Sequence, residues 1–242
     1  MMRRVLPGPG ALLPPRLRGE AHFRWRGGEV SRLEALSDAV FAIALTLLVV
    51  SLQLPAGAEE LAATFWQFPA FALCFAFLIW IWYQHFLFHR RYGFEDALTV
   101  ALNGALLFCV VFYVYPLKFL AEVLISGRLI GGEATHFGTA GQTVMLLYAG
   151  GFTGIFLVLT LMTARAWRLR AELGLNAAER AATRGTLVAQ AGSLALGVAS
   201  LVLTLALPSQ PEFGGLIFFL MGPLWGVVGW RTGVAVGRAE GA

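Results

Sequence analysis

Six long stretches without a charged side chain divide the chain, and in each of them apolar residues occupy every face. They show neither the strict alternation of a half-buried strand nor the narrow apolar stripe of a surface helix. A helix that crosses a bilayer needs about 17–25 predominantly apolar residues, so each stretch predicts one spanning helix. The stretches are residues 39–58, 61–84, 97–117, 134–164, 185–211 and 213–230.

Composition supports the membrane assignment, because 58% of the 242 residues are hydrophobic and only 13% are charged, far from the balance of a soluble domain. A membrane barrel is excluded because its strands alternate apolar and polar residues. We predict an all-α polytopic membrane protein in which residues 31–232 form the six-helix domain. Residues 1–30, rich in Pro, Gly and Arg, predict a mobile tail, and residues 233–242 a short second tail. The predicted helices are 33–54, 62–88, 97–120, 141–165, 184–207 and 213–231.

The positive charges fall almost entirely on one side of the six predicted spans. Of the 18 Lys and Arg residues, all but Lys118 and Arg128 lie before the first span, after the second, around the fourth connection or after the sixth. The positive-inside rule therefore predicts a cell-membrane protein with both termini in the cytoplasm. The net charge of +4 has the same origin, so it predicts contact with anionic membrane lipid rather than with nucleic acid.

Residues typical of an active site or a metal site are missing from the sequence. Cys74 and Cys109 lie inside apolar stretches, and the four histidines lack the spacing of a metal motif. The sequence contains neither a Gly-rich phosphate loop nor a nucleophile elbow. We therefore predict that the protein is not an enzyme and holds no cofactor or fixed metal ion.

Polar residues within the spans are informative, because each costs free energy in a bilayer unless it faces water or a partner. At 1.5 Å per residue, Asp38, His85 and Asn103 lie about 7–11 Å from the charged edge of the first, second and third spans. Together with Ser37 they are able to form a buried hydrogen-bond network that joins these helices. Alternatively, His85 lies at the membrane interface beside the aromatic residues of its own helix.

The stretch RLEALSD, Arg32–Asp38, followed by AVFAIALTLLV, resembles the Arg-x-x-x-Phe-Ser-Asp signature of the transmembrane protein 175 family of potassium channels. WYQHF (82–86), LNGALLF (102–108) and YPLKFL (115–120) are similar to that family's second and third helices. Leu36 stands where the family usually has Phe. The resemblance covers residues 31–120, and beyond them it is topological.

The resemblance implies a homotetramer whose potassium pore is lined by the first helix. Ile43, Thr46 and Val50 stand at the family's pore-facing positions, and their i, i+3, i+7 spacing places them on one stripe of a helix, which Ala39 extends. Because the chain has no carbonyl-type filter loop, we expect a constriction at Ile43 and a transient potassium site near Thr46. A hydroxyl bonded back to the carbonyl of residue 42 is the alternative for Thr46.

Six residues are expected to hold the first helix at its tilt without touching the ion. They are Arg32, Leu36, Ser37, Asp38, His85 and Asn103. Two other functions stay open at this point. A proton-linked secondary transporter predicts inverted repeats with a broken helix at the membrane midplane, and a membrane scaffold or enzyme predicts a catalytic polar cluster.

Overall fold

A computed structural model describes residues 20, 22–50, 57, 68–129 and 138–241. Within these residues the structure contains helices and no strand. The helices are α1 (Arg32–Val50), α2 (Phe68–Tyr92), α3 (Ala97–Leu129), α4 (Gly138–Arg168), α5 (Ala177–Ala206), α6 (Glu212–Leu216) and α7 (Met221–Glu240), with a 3₁₀ turn (Ile217–Leu220) that joins the last two.

Six segments of this part of the chain are long and apolar enough to cross a membrane, and α6, the 3₁₀ turn and α7 together form the sixth. The predicted all-α fold with six spans is confirmed. α1 packs on α2 and α3, α3 packs on α4, and α5 packs on both α4 and α7. The predicted end of the first helix at residue 54 and the predicted start of the second at residue 62 lie outside the described residues.

Several helices continue past the ends that the charged residues predicted. α2 ends at Tyr92, α5 begins at Ala177 and α7 continues to Glu240, whereas the predicted limits were 88, 184 and 231. Residues 233–240 are therefore helical and not a separate tail. The physical reason is that a charge marks the end of the apolar stretch, while backbone hydrogen bonds continue into water until a cap stops them.

The start of α5 shows such a cap. Asn176 is extended, its side chain accepts a hydrogen bond from the backbone N–H of Glu179, and the Glu179 carboxylate accepts one from the backbone N–H of Asn176. This capping box satisfies two backbone donors that a helix start leaves without partners. Asn followed three residues later by Glu is a recognised sequence signal for such a cap.

The N-terminal segment, residues 20 and 22–30, differs from the mobile tail that the sequence predicted. Phe23 is buried, with its ring edge-on to that of Tyr92 at the end of α2. The Arg26 guanidinium lies 2.8 Å from the Glu179 carboxylate of α5 and donates to the carbonyl of Leu173. Because an aromatic ring and paired charges anchor it, this segment lies against the bundle. Residues 1–19 and 21 lie outside the described part of the chain.

The N-terminal segment lies at one end of the bundle. We call this end the arginine-rich surface. This surface consists of the start of α1, the end of α2, the start of α3, the end of α4, the start of α5 and the end of α7. Arg165 at the end of α4 donates two hydrogen bonds of 2.7 Å to the carboxylate of Asp96, just before α3. Contacts of this kind bring together, at one depth, the charged ends of four spans that are far apart in the sequence.

Aromatic side chains fill the middle of the bundle. The Phe77 ring contacts those of Tyr113 and Phe152, which places α2, α3 and α4 around one cluster. Trp80 meets Trp225 of α7 edge-on, with ring centroids 4.7 Å apart. This packing holds α4 to α7 against the first three helices.

In the sequence, the spacing of Gly150 with Gly154 and of Gly222 with Gly226 indicates close helix crossings. Of these four, Gly154 lies close to a neighbour, since a Cβ there would lie 3.2 Å from Sγ of Cys109. Still closer contacts lie at other glycines. A Cβ atom at Gly151 would lie 2.5 Å from the Tyr113 ring, and one at Gly185 would lie 2.0 Å from the Thr232 hydroxyl. By contrast, a Cβ at Gly150 or Gly222 would meet nothing within 4 Å. Small-residue spacing alone does not determine which face of a helix meets a neighbour.

Candidate functional site

α1 has two faces of different character. Phe41, Ala44 and Leu48 are buried against α2 and α3. The opposite face carries a stripe at i, i+4, i+7, i+11, i+14 and i+18, formed by Arg32, Leu36, Ala39, Ile43, Thr46 and Val50, all of which are exposed in the isolated chain. We call these six residues the α1 stripe. All four residues that the sequence predicted for a pore therefore lie together on this stripe.

The apolar members of the α1 stripe are exposed within the single chain. Ile43 is 55% exposed and Val50 is 72% exposed. In the same helix Leu48, which has similar bulk, is fully buried. The single chain therefore leaves this face of α1 without a covering element among the described residues.

Thr46 supplies the hydroxyl group of the stripe. Its Oγ1 donates a hydrogen bond of 2.8 Å to the carbonyl of Ala42, as in the alternative considered from the sequence. This bond uses the hydroxyl hydrogen, and a hydroxyl oxygen keeps lone pairs that accept. The contact therefore orients the oxygen as an acceptor on the exposed face and does not rule out an ion contact.

A polar cluster on the buried face joins the first three helices. Asn103 of α3 donates from Nδ2 to the Ser37 hydroxyl at 2.9 Å, and its Oδ1 lies 2.6 Å from Nε2 of His85. All three side chains are buried. Because the amide oxygen only accepts, Nε2 of His85 carries the proton in this contact. The structure thus brings together Ser37, His85 and Asn103, as the sequence analysis expected.

Asp38 lies outside this cluster. It is exposed, and its Oδ1 accepts a hydrogen bond of 2.7 Å from the indole N–H of Trp82 in α2. The sequence analysis expected the carboxylate to reach the His85 imidazole. Successive residues of a helix point about 100° apart. Ser37 therefore contacts Asn103 of α3, while Asp38 contacts Trp82 of α2.

Arg32 and Leu36 also lie apart from the cluster, on the α1 stripe. The Arg32 guanidinium makes no hydrogen bond or ion pair with the residues that the structure describes, and the Leu36 side chain is 56% exposed. Within one chain neither residue positions α1.

Three residues near this cluster were not predicted from the sequence. Glu34 and Ser31 form a capping box at the start of α1, and the Glu34 carboxylate lies 3.5 Å from Arg90 of α2. The pattern Ser-x-x-Glu before an apolar run is a recognised signal for this cap. His89 is buried, and its ring centroid lies 4.5 Å from that of His85. Its position four residues after His85 was the available signal.

The six-span helical fold defines a polytopic membrane protein. In it a buried polar cluster fixes the first helix and leaves one face of that helix bare. Comparison with known proteins identifies which one. The family model described as "Endosomal/lysosomal potassium channel TMEM175" matches residues 32–113.

Individual relatives extend this match to most of the chain. A potassium channel of Marivirga tractuosa is 38% identical over 224 residues, which cover 87% of this chain and 91% of the relative. A potassium channel of Chamaesiphon minutus is 30% identical over 148 residues, which cover 58% and 65%. A crystal structure of a variant of the potassium channel MtTMEM175, bound to a nanobody fusion protein, matches with a TM-score of 0.74 at 36% identity, covering 88% of this chain and 98% of that one.

The chain therefore belongs to the TMEM175 family of potassium channels. The resemblance that the motif residues carried is confirmed, as is the prediction of a channel rather than an enzyme. The family match begins at Arg32 and ends at Tyr113, so it contains the whole α1 stripe and the polar cluster behind it.

Proposed function

We propose that the chain assembles as a homotetramer in the cell membrane, with both termini in the cytoplasm, and conducts potassium ions along the α1 stripe. The observation that carries this proposal is the bare face of α1. From Leu36 to Val50 it is a row of small and medium side chains with one hydroxyl, on a helix whose other face is buried. A single helix cannot enclose a pore, whereas four copies around a closed rotation axis can.

The order of side chains along the stripe suggests how such a pore works. Four Ile43 side chains near the axis form an apolar neck, which excludes a hydrated ion when it is tight. One turn further, four Thr46 oxygens offer acceptors that replace part of the hydration shell. Potassium gives up water more readily than sodium, so weak oxygen ligands behind an apolar neck favour potassium modestly.

The buried cluster and the Asp38–Trp82 bond have a supporting role in this proposal. Ser37, His85 and Asn103 hold α1 against α2 and α3, so the stripe faces the axis at a fixed angle. No cofactor enters this mechanism, because potassium is the permeant ion, and lipid surrounds the assembly. The stripe residues Arg32 and Leu36 meet neighbouring copies near the arginine-rich surface.

Flux through liposomes that contain the purified protein tests the proposal. We expect potassium flux to exceed sodium flux. Thr46→Val should reduce the preference for potassium, because it removes the oxygen but keeps the shape. Thr160→Val is the matched control, since the Thr160 hydroxyl also bonds back to a carbonyl four residues earlier but lies on α4. Its flux and selectivity should equal those of the wild type.

A second pair of variants separates the neck from its support. Ile43→Asn should change conduction in an assembled channel, whereas Asp38→Ala should lower the assembled fraction because it removes the bond to Trp82. Native mass spectrometry gives the assembly, expected at four times the 26.2 kDa chain. Another stoichiometry would contradict the tetramer, and saturable uptake coupled to protons would favour a secondary transporter.

A further inference from the structure

The arginines of the arginine-rich surface fall into two groups. One group is engaged within the chain: Arg26 with Glu179, Arg91 with Glu20, and Arg165 with Asp96. A second group is exposed and makes no hydrogen bond or ion pair with the residues that the structure describes. Near the contact between α5 and α7 this second group consists of Arg184, Arg231 and Arg238.

Arg184 and Arg231 flank one point of close contact between α5 and α7. Each directly precedes one of the two residues that touch there, Gly185 and Thr232. The neighbouring Trp230 is 69% exposed, and exposed Trp side chains favour the headgroup level of a membrane. The two guanidinium groups therefore belong to the headgroup region.

An apolar groove runs from this point into the membrane region. It has a volume of about 390 Å³ and lies between α5 and α7, lined by Gly192, Leu196, Leu220, Pro223, Leu224, Val227 and Val228. On α7 the lining residues 220, 224 and 227 continue in helical register to Arg231 and Arg238, at i, i+4, i+7, i+11 and i+18. We call this lining the α5–α7 groove.

The distance from Leu220, at the far end of the α5–α7 groove, to Arg231 matches one leaflet of a bilayer. Eleven residues separate Leu220 from Arg231, which corresponds to about 16.5 Å of helix. Half of a hydrocarbon core of about 30 Å is nearly the same distance. The headgroup end of an acyl chain in this groove consequently lies at the depth of Arg184 and Arg231.

We propose that the α5–α7 groove binds one anionic phospholipid, with an acyl chain along Leu224 and Val227 and the phosphate between Arg184 and Arg231. Guanidinium groups bind phosphate oxygens through paired, charge-assisted hydrogen bonds. Arg238, on the same face of α7 and farther from the membrane centre, meets the anionic headgroup. The site lies away from α1, which packs only on α2 and α3 among the described helices.

A larger hollow of about 700 Å³ lies on α5 and extends from Ala191 to Ala206 and Ile217. The linings of both hollows are apolar. The α5–α7 groove differs because residues 220, 224 and 227 of its lining continue in helical register to Arg231, so a positive charge follows at its end.

Lipid titration of the purified full-length protein, followed by native mass spectrometry, tests this site without measuring ion flux. We expect phosphatidylglycerol to be retained in preference to phosphatidylcholine. The double variant Arg184→Gln, Arg231→Gln should lower the affinity for phosphatidylglycerol about tenfold or more. Arg168→Gln is the matched control, because Arg168 is an exposed arginine at the end of α4 and outside the groove.

A second variant tests the apolar part of the site with the charges intact. Val227→Trp fills the groove and should lower phosphatidylglycerol retention, with the assembled mass and melting temperature close to those of the wild type. Equal retention of both lipids, or retention unchanged in the double variant, would overturn the proposal. So would competition by soluble glycerol phosphate, which needs no groove, or a changed stoichiometry in the double variant, which would make this face a contact between chains.

Discussion

The first three helices and the last four handle their buried polar side chains in different ways. In α1 to α3 the buried amide of Asn103 bonds to Ser37 on one neighbour and to His85 on the other. Each of these contacts crosses from helix to helix. Together they fix both the rotation and the height of α1 relative to α2 and α3.

In α4 to α7 most buried hydroxyl groups bond within their own helix. Each donates to the carbonyl four residues earlier, as do Thr183 to Glu179, Ser193 to Ala189 and Thr204 to Ser200. Bonds of this kind satisfy the hydroxyl but do not fix the position of the neighbouring helix. Two of these hydroxyls also accept across helices, Thr183 from the Tyr92 hydroxyl of α2 and Ser193 from the Trp225 indole of α7, both at 2.9 Å. Aromatic rings and glycine contacts supply the rest of the packing in this half.

This comparison indicates that the hydrogen bonds with a defined direction between helices are concentrated around α1, whose orientation must be fixed. Interhelical hydrogen bonds in membranes contribute on average only about 0.6 kcal/mol each, so their value here lies in direction as much as in strength. The packing of α4 to α7 depends more on the shape of aromatic rings and glycine contacts. The following predictions test this difference, beginning with the largest effect.

Asn103→Leu should be the most destabilising change, because it leaves Ser37 and His85 buried without their shared partner. The unsatisfied N–H of the buried His85 ring costs about 1–3 kcal/mol, whereas the Ser37 hydroxyl keeps its hydrogen bond of 2.8 Å to the Leu33 carbonyl. We expect a clear fall in the melting temperature of the detergent-purified protein. Thr204→Val is the control from the second half, and its effect should be much smaller. Equal losses for the two variants would remove the distinction between the halves.

Gly151→Ala tests the shape packing of the second half. Its new methyl group would lie 2.5 Å from the Tyr113 ring, and overpacking of this kind costs about 1–3 kcal/mol. The neighbouring Gly150→Ala meets nothing within 4 Å and should be neutral or slightly stabilising, since Ala favours a helix more than Gly. Thermal unfolding of the two variants measures the difference. Similar curves would contradict close contact at Gly151.

Arg26→Gln tests the attachment of the N-terminal segment to the second half. The Arg26 guanidinium donates hydrogen bonds to both carboxylate oxygens of Glu179, and the loss should cost about 1–2 kcal/mol. We expect faster tryptic cleavage after Arg24, while the six spans stay folded. Arg170→Gln is the control, because Arg170 bonds only to the Trp167 carbonyl of its own turn. An unchanged cleavage rate would show that the pair of Arg26 with Glu179 does not hold the segment.

The smallest effect is expected at Asp96, which connects the two halves at the exposed surface. Hydrogen bonds from Arg165 and Thr99 hold the pKa of this carboxyl below its ordinary value. Stabilisation from a lowered pKa is present above the ordinary carboxyl pKa and is lost as the pH falls through the lower folded-state value. Asp96→Asn should therefore flatten the acid side of the stability curve and leave the neutral range almost unchanged. A shift of the melting temperature confined to neutral pH would contradict this assignment.

The residues that could be predicted from the sequence share a simple property. The six spans follow from uncharged length, the Asn176 cap from its local spacing, and the α1 stripe from positions within a single helix. Each of these inferences requires no knowledge of what lies beside the helix. His85 and Asn103 were placed at one depth by counting residues from the charged ends, which is again a property of single helices.

Contacts between helices were the part that the sequence predicted less well. Asp38 bonds to Trp82 instead of His85, Gly151 and Gly185 rather than Gly150 and Gly222 make close contacts, and the Phe23 region packs on the bundle. Each outcome depends on the rotation of one helix relative to another. In a membrane protein the hydrophobic pattern does not determine that rotation, because the helices are apolar on every side.

The sequence by itself thus determined the all-α membrane fold, the family motif and the stripe of residues along α1, because length, charge and helical period are local properties. Only the tertiary structure decided that Asn103 is the shared partner of Ser37 and His85, that Asp38 turns to Trp82, and that Arg231 continues the α5–α7 groove. The physical reason is that hydrogen bonds and close contacts depend on distances of a few ångströms between segments far apart in the chain, and packing alone sets those distances.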